Sequence, residues 1–215
     1  MLTIGQKAMN MREMKTAAMN EIEGVPAKKA KIENSKCPFE LEITASKDIK
    51  GISFPLNKDG YVVVYTDGSC INNGKQNAVA GYGVFFAEGH RLNAAEPVTT
   101  RATNNVGEIL ASVYAIKTAK DFGISKLCIA TDSQFLINSV QKWMQSWKRN
   151  NWKTSNGKEV KNYNEFVQLD QLLKDKDVNI KWIHVRGHVG IYGNEQADQL
   201  AREGSDKCRR LRECK

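Results

Sequence analysis

The chain has 215 residues and a formal net charge of +8, from 32 lysine and arginine residues against 24 aspartate and glutamate residues. This length suits one domain of about 150 residues with additional segments, and the basic excess favours a polyanionic partner, nucleic acid ahead of an anionic membrane surface. No apolar run reaches the roughly 18 residues of a membrane span, and the five cysteines include no C-x-x-C pair. We therefore expect a soluble intracellular protein with reduced thiols and no membrane partner.

The N-terminal segment, residues 1–59, lacks tryptophan and tyrosine and shows no sustained strand or helix period. This composition predicts a mostly disordered extension. Within it, PAKKAKIE (26–33) has the character of a nuclear import signal, and the acid-poor first twenty residues suit a basic amphipathic targeting helix. We expect a nuclear or cytoplasmic protein, with mitochondrial import as the alternative.

Three strand-like segments follow Gly60, and their short links predict an antiparallel meander. They are YVVVYT (61–66), VAGYGVFFAEG (79–89) and RLNAAEPVTTR (91–101). The glycines of the second segment indicate a bulge or a close backbone approach, and the proline of the third places it at a sheet edge. The Asp67–Gly68 pair after the first segment predicts a turn, as does Asn73–Gly74.

A long amphipathic helix is predicted next, from an N-cap at Thr103 to Gly123, because apolar residues recur every three or four positions. A strand over 126–133, helical residues and a tryptophan-rich basic segment follow. A helix over 162–175, a strand over 178–185 and a closing helix over 194–205 complete the chain. This order predicts a mixed sheet with helices packed on it, within a domain of residues 60–206 and before a basic C-terminal tail, 207–215.

Two acids end similar apolar strands, Asp67 in VVVYTDGS and Asp132 in LCIATDSQ. If these strands are parallel neighbours, both carboxylates lie at the carboxyl edge of the sheet, where α/β folds place ligands. Asp132 has the alternative role of capping the following helix. Near the start of the long helix, Glu108 complements the helix dipole, and Asp198 on the closing helix has the alternative role of a solvated charge. No acid is decisive alone.

Four motifs together resemble type 1 ribonuclease H in order and approximate spacing: TDGS around Asp67, TNNVGE around Glu108, ATDS around Asp132 and HVRGHVGIYGNEQAD ending at Asp198. The resemblance covers residues 61–205. It implies an α/β fold of the ribonuclease H type, a five-stranded mixed sheet of three antiparallel and then two parallel strands with helices on both faces. It also implies an endoribonuclease that cuts the RNA strand of RNA·DNA hybrids and leaves 5′-phosphate and 3′-hydroxyl ends.

The resemblance further implies that these four acids hold two Mg²⁺ ions, for which Mn²⁺ can substitute, and that no organic cofactor is needed. Physically, two carboxylates about 5 Å apart repel by about 3 kcal/mol at an effective dielectric of 20, so the cluster requires cations. Hard oxygen ligands select these metals. His188, in RGHVGIYG, resembles a mobile histidine that assists proton transfer or product release. Zinc binding by His184 and His188 is disfavoured because the pair spans a strand end and a loop, and His184 is expected to pack in the sheet.

The segment KWMQSWKRNNWKTSNGK (142–158) interleaves indoles with cations. Cations attract phosphates while indoles pack on sugars or bases, a combination suited to nucleic acid; the alternative is a small tryptophan core beneath a solvated basic face. The resemblance makes this segment a basic protrusion that holds the DNA strand through Lys142, Lys148, Arg149 and Lys153.

Further nucleic-acid contacts are implied residue by residue by the resemblance. Contacts with the DNA strand are implied for Arg101, Thr103, Phe135, Trp143, Trp147, Ser155 and Asn162. Contacts with RNA 2′-hydroxyls, which distinguish RNA from DNA, are implied for Asn73, Asn104 and Asn105. The asparagines also have the simpler role of forming turns or capping helices.

The sequence departs from the family pattern in two places. Residues 1–59 contain no recognisable N-terminal hybrid-binding domain, and Gly107 stands before Glu108 where an alanine is common. This glycine is expected to loosen the helix start but to leave room for the backbone, with little harm. Other nucleases of the same fold, such as a retroelement-derived ribonuclease H, are alternatives, as is a non-catalytic hybrid-binding module. The module is expected to have lost an acid, and all four are present. We expect a monomer.

Overall fold

The computed structural model describes residues 38–213, which form a mixed α/β fold. The strands are β1 (Ile43–Ile49), β2 (Ile52–Asn57), β3 (Val62–Ile71), β4 (Val79–Phe85), β5 (Ala94–Pro97), β6 (Lys126–Thr131) and β7 (Asn179–His184). The helices are α1 (Asn104–Phe122), α2 (Gln134–Asn138), α3 (Met144–Arg149), α4 (Tyr163–Lys174) and α5 (Tyr192–Glu213). A π-helical turn, Ser139–Trp143, joins α2 to α3. Across these residues, no helix combines the length and apolar character needed to cross a membrane.

Five strands form the predicted mixed sheet in the spatial order β5, β4, β3, β6, β7. Strands β3, β4 and β5 pair antiparallel, whereas β6 pairs parallel with β3 and β7 pairs parallel with β6. The last parallel pair between β3 and β6 joins Tyr65 to Ala130, so Asp67 and Asp132 each lie two residues beyond it. The register therefore brings both acids to the carboxyl edge of the sheet, as the sequence predicts.

A β1–β2 hairpin extends this sheet to seven strands, and the predicted number of five is wrong. The predicted disorder is likewise wrong for residues 43–57, while residues 1–37, with the predicted import and targeting segments, lie outside the described residues. The hairpin escapes sequence analysis because β1 is exposed along almost its whole length and carries no apolar period. Its anchor is Phe54 in β2, which is fully buried between the rings of Phe86 and Phe122.

Helices cover both faces of the sheet, and glycines bring them close. Gly81 and Gly83 of β4 lie against the backbone of α5, where no side-chain carbon would fit, so the predicted close approach is confirmed. On the opposite face, Gly68 of β3 lies against the first turns of α1. The predicted Asp67–Gly68 turn is wrong, because β3 continues to Ile71 and Gly68 pairs with Tyr82.

Helix α1 has the predicted caps. The Thr103 hydroxyl accepts a hydrogen bond from the Val106 amide at 3.2 Å, and Gly123 ends the helix at a φ of 68°. The close packing extends to Gly107, because an added Cβ there would lie 2.6 Å from the Gly81 carbonyl oxygen. The predicted room for the backbone at Gly107 is therefore confirmed.

Helix α5 is longer than predicted and contains most of the predicted C-terminal tail. It runs without interruption to Glu213, and Cys208 within it is buried. The tail prediction is thus wrong for residues 207–213. The basic composition of this stretch hides its helical character, because the residues that face the sheet are few and small.

Candidate active site

Three acids from three elements meet at the carboxyl edge of the sheet. Asp67 lies within β3, Glu108 in the second turn of α1, and Asp132 directly after β6. Each offers a carboxylate oxygen, and these oxygens lie within 4.8 Å of one another. Asp67 and Glu108 are each only 7% exposed, whereas Asp132 is half-buried. A buried group of acids at this separation is unfavourable unless protons or cations balance the charge.

Hydrogen bonds orient the carboxylates. The Gly68 amide donates to Asp67 Oδ1 at 2.8 Å, and the Thr131 hydroxyl donates to Glu108 Oε2 at 3.4 Å. On the third acid, Asn194 Nδ2 donates to Asp132 Oδ2 at 3.2 Å. Each carboxylate thereby keeps a defined direction, which a cation site requires.

Asn194 is a site residue that sequence analysis misses. It is 1% exposed at the start of α5, and its Oδ1 atom has no hydrogen-bond partner within residues 38–213. A signal is present in the sequence, since Asn194 lies four residues before Asp198 and therefore on the same helical face. An asparagine near a helix start is nevertheless common enough to be taken for a cap.

The electrostatics of the cluster favour a bound cation. Burial, then the charge of Asp132, raises the pKa of Asp67 from 3.8 to about 7. Burial, then the charges of Asp67 and Asp132, raises the pKa of Glu108 well above its usual value. A divalent cation coordinated by oxygen would offset both the repulsion and the lost hydration, and carboxylates are the donors that Mg²⁺ and Mn²⁺ prefer. The donor set therefore fits such an ion.

Asp198 shares a cavity of about 290 Å³ with the three acids but makes a different contact. Its carboxylate pairs with Arg202 one turn later on α5, with Nη2 at 2.7 Å from Oδ2 and Nε at 3.0 Å from Oδ1. The structure thus brings three of the four predicted acids together and places the fourth at the cavity wall, paired with an arginine. Asn104 also lines this cavity.

The predicted histidine, His188, lines the same cavity from the loop between β7 and α5. It is exposed and has a φ of 54°, a left-handed conformation that is uncommon outside glycine but is adopted more often by asparagine, aspartate and histidine than by other residues. His184 ends β7 and pairs with Thr131, so it lies in the sheet as predicted, but its side chain is exposed and not packed. Neither histidine belongs to a group of three metal-ligating side chains in the part of the chain that the structure describes.

The predicted DNA-strand residues lie on two neighbouring surfaces. Arg101 and Thr103 line a second cavity, of about 280 Å³. The Thr100 hydroxyl donates to Glu165 at 3.0 Å, which holds the Arg101 loop against the first turn of α4. Asn162 stands immediately before that turn at a φ of 64°, and its side chain makes no capping bond. Its polar atoms are therefore not consumed by the helix end.

The tryptophans of the predicted protrusion are partly core and partly surface. Trp147 packs on Phe166 with ring centroids 5.2 Å apart, and Trp152 packs on Tyr163 at 5.5 Å. Trp143 leans on Phe135 at 6.0 Å but remains 39% exposed. The inner rings thus form the small tryptophan core named as the alternative, and the contact of the exposed Trp143 with nucleic acid stays a prediction.

The cations of the protrusion differ in their partners. Lys148 pairs with the buried Asp170 at 2.7 Å, which ties α3 to α4. By contrast, Lys142, Arg149 and Lys153 are exposed, and no ion pair holds any of them within residues 38–213. The remaining predicted contact residues are likewise exposed: Ser155, Asn73, Asn104 and Asn105. Their predicted contacts with nucleic acid stay predictions.

Comparison with known proteins gives consistent matches. The RNase H family model matches residues 59–206. Ribonuclease H1 from Rattus norvegicus and from Homo sapiens are each 50% identical to the chain, over 67% of its length and 50% of theirs. Ribonuclease H from Clostridium botulinum is 37% identical over 68% of the chain and 96% of its own length. The chain therefore spans about half the length of the mammalian relatives.

Solved structures match the fold. The solution structure of the PFV RNase H domain aligns with a TM-score of 0.55 at 26% identity, covering 67% of this chain and 94% of that one. The foamy viral protease-reverse transcriptase in complex with RNA/DNA hybrid aligns with a TM-score of 0.57 at 27% identity, covering 87% of this chain and 23% of that one. Together with the acids at the sheet edge, these matches define a nuclease domain.

Within that class the assignment is specific. The chain belongs to the ribonuclease H family, since the family match extends over most of its described residues and a bacterial relative aligns along nearly its whole length. The resemblance found in the four sequence motifs is thereby confirmed.

Proposed function

We propose that this protein is an endoribonuclease that hydrolyses the RNA strand of RNA·DNA hybrids and leaves 5′-phosphate and 3′-hydroxyl ends. The observation that carries the proposal is the group of three carboxylates, with oxygens within 4.8 Å of one another, at the sheet edge of a ribonuclease H domain. Acids that are merely solvated would lie apart and exposed. A hybrid-binding module without activity has no use for this costly arrangement.

When bound, two Mg²⁺ or Mn²⁺ ions would supply activation of water for in-line attack and neutralisation of the leaving 3′ oxygen. The residues that would hold them are Asp67, Glu108 and Asp132, with Asp198 at the cavity wall. The chain's own contribution is to fix the acids on backbone elements that pack closely, and to keep two of them buried. His188 lines the cavity and is exposed, which supports the proposal that it assists proton transfer or product release.

We propose that residues around this cavity distinguish the RNA strand of the hybrid from the DNA strand. Asn104 lines it, Asn105 is the next residue, and Asn73 follows the cavity residue Cys70 by three positions. All three are exposed, so their amides can pair with 2′-hydroxyls, which only RNA carries. The DNA strand would lie along the Arg101 loop, the start of α4 and the exposed Trp143. Cations there bind phosphates without regard to sequence, which suits an enzyme that acts on hybrids of any sequence.

The proposal is tested by incubating labelled RNA·DNA, RNA·RNA and DNA·DNA duplexes with the protein and Mg²⁺. Only the RNA strand of the hybrid should be cut, and the downstream fragments should be ligatable through their 5′-phosphates. Asp67→Asn and Asp132→Asn should each lower the cleavage rate at least a thousandfold while hybrid binding persists, because binding uses other surfaces. Tight hybrid binding without cleavage by the unaltered protein would instead identify a binding module.

A further inference from the structure

The end of helix α5 is fastened to the sheet beyond the last residue of the family match. Lys207 Nζ donates to the Ala95 carbonyl at 2.6 Å, and Arg212 Nη1 donates to the Ala78 carbonyl at 2.7 Å. Between these two bonds, Cys208 is buried. The last turns of α5 therefore hold a fixed position beside β4 and β5, and the Arg212 guanidinium is fixed with them.

This position brings Arg212 into the cavity that Arg101 and Thr103 line. Lys75, from the turn between β3 and β4, completes a set of three cations around a space of about 280 Å³. The other lining residues are all uncharged: Gly74, Gln76, Ala78 and Ala102. None of the three cations has an acidic partner within residues 38–213. Three like charges around one cavity are unfavourable until an anion joins them.

We propose that Arg212, with Lys75 and Arg101, binds a backbone phosphate of the RNA·DNA hybrid. This inference rests on the proposed function and adds an anchor to it. The family resemblance already implies a pocket for a DNA phosphate at Arg101, Thr103 and Asn162, and the new element is the contribution of Lys75 and Arg212. A guanidinium with one nitrogen bound to a carbonyl keeps its other donors for phosphate, and the carbonyl bond lowers the entropy lost when the phosphate arrives.

A charge-matched pair of variants tests the proposal. Arg212→Gln and Arg210→Gln each remove one charge from the same exposed end of α5, but Arg210 does not line the cavity. Both are made in the Asp67→Asn background, so that the hybrid is not cut during the measurement. Dissociation constants for an RNA·DNA hybrid are then measured across a range of salt concentrations.

Arg212→Gln should raise the dissociation constant about five- to tenfold near 0.1 M salt and lower the salt slope by about one, as for one lost phosphate contact. Arg210→Gln should change the constant less than twofold, and Arg212→Lys should retain most of the affinity. Equal effects of the two glutamine variants would overturn the proposal, because only net charge would then matter. A lower unfolding temperature for Arg212→Gln with an unchanged salt slope would also overturn it, in favour of a purely structural arginine.

Free phosphate is the other source of the same chemistry. Inorganic phosphate that stabilises the parent protein but not Arg212→Gln, together with hybrid binding that is unaffected by this change, would overturn the hybrid assignment. Failure of the parent protein to bind the hybrid at all would count against the proposed function itself. If the parent binds the hybrid and the Arg212 variants bind it with the same dissociation constant, the proposed function stands and only the additional phosphate contact is excluded.

Discussion

Asp67 lies where a cation can bind, but in the metal-free protein the same position disfavours the charged form of its carboxylate. Its carboxylate is buried, and it lies beside Glu108 and Asp132, so the folded protein resists its ionisation. The unfolded chain meets neither obstacle, and its Asp67 ionises near 3.8. A residue placed for cation binding therefore lowers the stability of the fold whenever the cation is absent.

The metal-free protein should become less stable as the pH rises. Because the pKa of Asp67 is raised to about 7 in the folded state, the folded protein binds more protons than the unfolded chain between pH 3.8 and about 7. The proton held by Asp67 stabilises the folded state in full below pH 3.8. This stabilisation is lost as the pH rises through about 7, and the free energy of unfolding falls by about 2–4 kcal/mol. Denaturant unfolding with chelator at a series of pH values measures it.

Asp67→Asn is the control for this pH dependence. The variant should be more stable than the parent at pH 8 and should show a flatter profile, because the amide carries no charge to bury. Mg²⁺ added at pH 8 should stabilise the parent more than the variant. A parent whose stability rises between pH 4 and pH 7 in the same way as that of Asp67→Asn would contradict the assignment.

Helix α1 and helix α5 show what local sequence can and cannot predict. The bounds of α1 follow from Thr103 and Gly123, whose capping chemistry is local. The four acids could be found because each lies in its own recognisable motif. The extent of α5 and the β1–β2 hairpin depend on packing between distant parts of the chain, which no window of sequence displays.

Gly107→Ala should destabilise the fold although alanine is the better helix former. Helix propensity favours the change by about 1 kcal/mol, but the new Cβ would lie 2.6 Å from the Gly81 carbonyl oxygen, and α1 would have to move away from the sheet. We expect a net loss of about 1–3 kcal/mol, seen in denaturant unfolding. Lys117→Ala, at an exposed position of the same helix, should be neutral. Gly107→Ala as stable as the parent would refute the close contact.

Two lysines of the protrusion should respond differently to alanine substitution. Lys148→Ala removes a partner of the buried Asp170 and should lower the unfolding temperature, with at most a small change in the salt slope of hybrid binding. Lys153→Ala should leave the unfolding temperature unchanged and reduce the salt slope by about one. Thermal unfolding and salt-dependent binding of both variants test this, and an interchange of the two outcomes would contradict the assignment.

Over the whole molecule, the domain extends further in both directions than its motifs. The hairpin at one end and the last turns of α5 at the other are joined to the same sheet. Both segments are polar outside a few anchoring positions, so composition classifies them as extensions. Their membership in the fold becomes evident only from Phe54, Cys208 and the carbonyls that receive Lys207 and Arg212.

A fragment that begins at residue 60 should be less stable than one that begins at residue 38. The shorter fragment lacks the β1–β2 hairpin, and this exposes the rings of Phe86 and Phe122, which Phe54 covers. Phe54→Ala in the longer fragment should reproduce much of the effect, about 3–5 kcal/mol, because a fully buried ring is removed. Denaturant unfolding of the three proteins measures this, and equal midpoints would show that the hairpin is not integral.

The glycine contacts limit how far the distance between Glu108 and Asp198 can vary. On one face, the backbone of α1 next to Glu108 touches Gly68, and on the other the backbone of α5 beside Asp198 touches Gly83, whose strand partner is Asp67. At both contacts the glycine carries no side chain that could hold the helix backbone away from the strand. The interval between these acids is thus set by atomic radii, and repacking elsewhere in the core leaves it unchanged.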